Sequence, residues 1–184
     1  MKRLFTALIT GLFLAVSAHA ADLTPAQRTA FKAALWSETD AALVSYRSNG
    51  QTTMIKAWYE LPATPDFIVW KSSVTQDEIM QNGFDWTQVD NTTVGKARIW
   101  EWLFASESRA INPSKANIRA GIAEAWKGTS AMLAVRAAIY THCKRAASRI
   151  EKLLAAGTGT DADPATMAFE GAIPESEIAL AMEQ

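Results

Sequence analysis

The chain has 184 residues and a formal net charge of −1, with 49% hydrophobic and 20% charged residues. That balance puts it in the ordinary globular class, and its length fits one domain with one core. Cys143 is its single cysteine, which excludes a disulfide-stapled scaffold and leaves packing to hold the fold.

Residues 1–20 read as a signal-peptide-like leader. Lys2 and Arg3 form a basic start, residues 4–16 are an apolar run, and Ala18-His19-Ala20 matches the small-x-small cleavage pattern. The apolar run is shorter than the roughly 20 residues a membrane span needs, and no second run follows, so no span is expected in the mature chain. The leader implies a periplasmic or secreted location.

The elements after it are predicted in chain order. Thr24-Pro25-Ala26-Gln27 is a capping box that opens a helix over 24–36. Further helices are expected over 39–46, stopped by Asn49-Gly50, and over 52–60, stopped ahead of Pro62. Residues 66–71 contain the β-prone run Phe67-Ile68-Val69-Trp70, too short to form a sheet alone. Thr75 to Glu78 is a second capping box for a helix to Gln81, and Phe84, Trp86 and Val89 follow as an aromatic loop. A helix over 92–106 comes next. Asn112 as N-cap and Pro113 at the first helical position predict another, ending near Lys127-Gly128. The longest is expected over 129–155, because Met132, Val135, Ile139, Cys143, Ala146, Ile150 and Leu153 fall within about 40° of one line. Residues 157–164 are loop-like, and a last helix is expected over 174–182. The fold class is therefore mainly α: a helical domain over 21–156 with a short extended segment, then a C-terminal loop and acidic arm over 157–184.

Charge is segregated along the mature chain. Residues 21–90 carry five basic and nine acidic groups, 91–152 eleven and four, and 153–184 none and six. A positive middle and a negative tail attract each other, within one chain or between subunits.

Little here is suited to bond-making chemistry. After the leader, His142 is the one histidine, and its side chain diverges by about 100° from that of neighbouring Cys143, so the two do not form a nucleophile and base. One His and one Cys fall short of a zinc site, and Asp161 with Asp163 lacks the glycine and distal glutamate of a calcium loop. Gly157-Thr158-Gly159 has neither the spacing nor the lysine of a phosphate loop. Asp77 with Glu78, or Glu101 with Glu107, are nominal acid and base pairs that read better as solvated helix faces. No catalytic residue, metal, cofactor or small-molecule ligand is inferred. Nucleic acid is not expected either, because the acidic tail competes for the basic face of Lys144, Arg145, Arg149 and Lys152.

The sharpest feature is "TVGKARIWEWLF", residues 93–104, in which Ile99, Trp100, Trp102, Leu103 and Phe104 cover most directions around a helix. Such a segment is either central in the core or shared between the core and another protein. Trp100, Trp102, Arg145, Arg149 and Lys152 are the interface candidates, since Trp and Arg are enriched at contact hot spots.

The stretches "DFIVWKSSVTQDEIMQNGFDWTQVDNTTVGKARIWEWLF", "INPSKANIRAGI" and "HCKRAASRIEKLLAAGTGTDADPATMAFEG" resemble a family of tailed-bacteriophage and prophage proteins encoded among virion-morphogenesis genes. The resemblance implies a non-enzymatic structural or assembly role near the head-tail connection or the capsid. Its partners would be other phage structural proteins or further copies of itself, and its location the virion and host cytoplasm. Members of that family carry no export signal, so the leader is a departure.

Overall fold

The computed structural model describes residues 22–81 and 83–183. The expected leader lies outside the described residues.

Thr24 caps helix α1 (Pro25–Ser37): its hydroxyl accepts from the Gln27 amide while the Gln27 side chain accepts from the Thr24 amide. Asp40 caps α2 (Ala41–Ser48), and α3 (Thr52–Glu60) follows. Phe31 and Leu35 of α1, Leu43 of α2, and Ile55 and Tyr59 of α3 point into one apolar cluster. The β-prone run then supplies strand β1 (Ile68–Trp70), and strand β2 (Val74–Thr75) leads into the short helix α4 (Gln76–Ile79) through the expected Thr75–Glu78 capping box.

The aromatic loop is a 3-10 helix (Trp86–Asn91) capped by Asp85, and Thr93 caps α5 (Val94–Leu103). Strand β3 (Ala110–Ile111) pairs antiparallel with β2. Helix α6 (Ala116–Ala125) begins later than the Asn112-Pro113 signal implies. Asn112 Oδ1 accepts from the Ser114 amide in a local turn, and Arg119 reaches back to the Pro113 and Ser114 carbonyls at 2.7 and 2.8 Å, so this first turn is bound without being helical.

The single helix expected over 129–155 is three elements: α7 (Ser130–His142), strand β4 (Lys144–Ala146) and α8 (Arg149–Leu154). β1 needs a partner, and β4 is that partner, antiparallel with Val69 opposite Arg145. Tertiary pairing thus overrides helical periodicity. Ser148 then restarts the helix with a capping box to Glu151. The apolar stripe is divided accordingly: Met132, Val135, Ile139 and Cys143 are buried on α7 and at its end, Ala146 is exposed, and Ile150 is buried on α8 in a different cluster.

The architecture is mainly α, with nine α-helices, one 3-10 helix and two two-stranded sheets among the described residues. The apolar interior has two large parts. The first joins α1–α3 to α8 and to Phe169, Ile173 and Ile178 of the C-terminal segment, whose last helix is α9 (Glu175–Met182). The second gathers Trp70, Ile79, Phe84, Phe104, Ile122, Trp126 and Ile139 around α4–α7. Val69, Ala147 and Ala165 form a small third group at the β1–β4 sheet. The acidic tail is therefore no free arm. It closes the first cluster, and Arg28 grips Glu177 through two 2.6 Å contacts.

Candidate functional site

At 100° per residue, α5 turns Ile99, Trp100 and Leu103 to one side and Val94, Arg98 and Trp102 to the other. The first three are half-buried against the second cluster. Gly121 of α6 allows the approach, since a Cβ there would sit 3.1 Å from Leu103 Cδ2. Trp100 packs edge-on against Phe104 at 4.9 Å and Trp126 at 5.5 Å between ring centres. The outward side is left to solvent: Val94 is 76% and Trp102 70% exposed. No residue of α5 is fully buried, so the helix lies on the core as a half-sunk cover.

Beside α5, Trp86, Val89, Ala97, Trp100 and Trp126 line a mainly apolar cleft of about 180 Å3. The Trp126 Nε1 is buried there without a hydrogen-bond partner among the described residues. Trp86 and Val89 stay exposed at 57% and 41%.

The basic candidates sit elsewhere, on β4 and α8, and are not gathered with Trp100 and Trp102. Arg145 makes a two-pronged pair with Glu151, 2.7 Å on each side, and reaches Glu170 at 3.1 Å. Glu151 is 3% exposed. Burial pushes its carboxyl up, but Arg145 and the Ser148 and Gly171 amides outweigh that and hold it below the usual carboxylate range. The Arg145 charge is thus consumed within the chain. Lys152 donates to the Thr64 and Pro65 carbonyls at 3.4 and 3.3 Å, and Arg149 lies over the Trp58 ring at 3.9 Å. Lys144, from the same basic run, pairs with Asp161 at 2.7 Å.

Cys143 is fully buried, and burial raises its thiol to about 12 despite the opposing charge of Lys71, which leaves it protonated at neutral pH. Among the acids, Glu78 is used in its capping box and faces Lys71 at 3.6 Å. Asp77 and Glu107, not paired by sequence spacing, line a cavity of about 190 Å3 with Arg109. Among the described residues, no group of three or more His, Cys, Asp or Glu is placed to hold a metal, and no helix is long and apolar enough to cross a membrane.

The Arg145–Glu151 pair had a local signal, the Ser148-x-x-Glu151 box, that helical periodicity concealed. Glu170 and Glu177 had none, because their partners are 25 and 149 positions away. No protein-family model matches the chain, and no curated protein or solved structure matches it.

Proposed function

We propose that the chain is a non-enzymatic structural or assembly protein of a tailed bacteriophage or prophage, acting near the head-tail connection or the capsid. It works through contacts with further copies of itself and with other virion subunits. The observation that carries this reading is the solvent-facing side of α5, where Val94 and Trp102 are held out by a helix whose other side is anchored in the core. Large apolar side chains held rigidly in water lose little further freedom on binding, and Trp is a frequent hot-spot residue. The wording of residues 66–104, 111–122 and 142–171, which resembles the phage family, supports the same reading. Sedimentation of the purified chain with and without Trp102→Ser tests it: association that weakens by about 2 kcal/mol, roughly thirtyfold, is expected.

The leader favours a second reading, an exported periplasmic interaction module. Cell fractionation separates the two, since that reading requires a processed chain starting at Ala21 in the periplasm.

A further inference from the structure

Four of the nine large apolar side chains left exposed among the described residues fall within residues 86–102, and they stand on two separate sides of α5. Val94 and Trp102 are on its outer face. Trp86 and Val89 line the mouth of the cleft beside it, whose walls include Phe84, Trp100 and Trp126. An apolar cavity of roughly 150 Å3 takes a benzene, so a cleft of about 180 Å3 has room for one aromatic side chain.

Trp102 does not reach the cleft of its own chain. At 100° per residue it is turned about 140° from Ala97 and about 160° from Trp100, two of the α5 residues that line the cleft, and it is 70% exposed. Knob and hole therefore occupy opposite flanks of one helix. A two-fold contact sets the same patch of both copies face to face, whereas a knob and a hole on opposite flanks meet head to tail. The charges beside them suit that meeting. Arg98, one turn before Trp102, and Glu101, at the cleft, are exposed, and neither makes an ion pair among the described residues. Lys96, the other charged residue lining the cleft, donates to the Lys127 carbonyl. Resting on the self-association described above, we propose that Trp102 of one copy seats in the Trp86–Val89 cleft of the next, with Arg98 of the first beside Glu101 of the second. Each added copy presents a fresh knob or a fresh cleft, so assembly continues beyond a dimer.

Sedimentation velocity on the full chain, two single variants and their mixture tests this. Trp102→Ser removes the knob, and Val89→Arg puts a charge at the mouth of the cleft on a side chain exposed enough to bear it. The wild type should pass beyond a dimer as its concentration rises. Each variant alone should associate about thirtyfold more weakly. Mixed one to one, they should form a dimer and nothing larger, because Trp102→Ser keeps an intact cleft and Val89→Arg an intact Trp102. Trp86→Ser, at the same mouth, repeats the comparison should Val89→Arg fold poorly. A wild type that stays monomeric at every concentration removes both the self-association and this contact. Association that stops at a dimer, that the cleft variants leave unchanged, or that the mixture does not restore overturns the head-to-tail contact alone and leaves a two-fold contact between α5 faces.

Discussion

Glu151 accepts from both prongs of Arg145 and from two backbone amides, all inside a nearly closed site. Removing its charge leaves Arg145 half-matched in a poorly hydrated setting, so Glu151→Gln should lower unfolding free energy by about 3 kcal/mol in chemical denaturation. The same carboxyl gives stability a pH dependence. Its native proton affinity is held below the ordinary value of 4.5, as is that of Glu177, so the unfolded chain takes up protons first as pH falls. The contribution is complete above the ordinary carboxylate range and is lost as pH drops through the lower native values. Thermal melting should therefore weaken steeply below about pH 4.5, and more shallowly in Glu151→Gln. Gly159 makes a third residue-scale test. It sits at φ +68°, its carbonyl accepts from the Ile68 amide at 2.7 Å, and the Phe67 ring lies where a Cβ would project. Gly159→Ala should cost about 2 kcal/mol or more, seen as a lowered denaturation midpoint.

Among the elements, α1 was legible because both halves of its capping box are local, and so was α4. The run over 129–155 was not. Its stripe keeps helical phase across residues 143–150, yet the two halves face different clusters, and the break is imposed by hydrogen bonding to a segment more than seventy positions earlier, as in Lys71 N to Cys143 O at 2.9 Å. Periodicity reports one helix's face and is silent on long-range strand pairing. α5 shows the converse. Its composition left open whether the segment is all core or shared with another surface, and which tryptophan would face out; that choice follows from where Gly121 lets Leu103 settle. Because Trp102 touches solvent over most of its surface, Trp102→Ser should leave the unfolding free energy of the single chain within about 0.5 kcal/mol of wild type in chemical denaturation, while changing association.

For the whole molecule, two basic groups of the middle pair with the tail within the chain, Arg145 with Glu170 and Lys144 with Asp161, and a further tail acid, Glu177, pairs with Arg28 of the N-terminal part. The sequence left intrachain and intersubunit attraction equally open, since charge runs carry sign but no geometry. With the tail folded back against α1 and α3, the association proposed above is assigned to apolar contact at α5. The α5 face is then the surface on which the account stands. Its most direct test is sedimentation velocity on the purified chain across a broad concentration range, beside the Val94→Ser, Trp102→Ser double variant. The wild type is expected to associate as its concentration rises, and the double variant to lose that association while keeping its fold. A wild-type chain that sediments as a monomer at every concentration, indistinguishable from the variant, would contradict it.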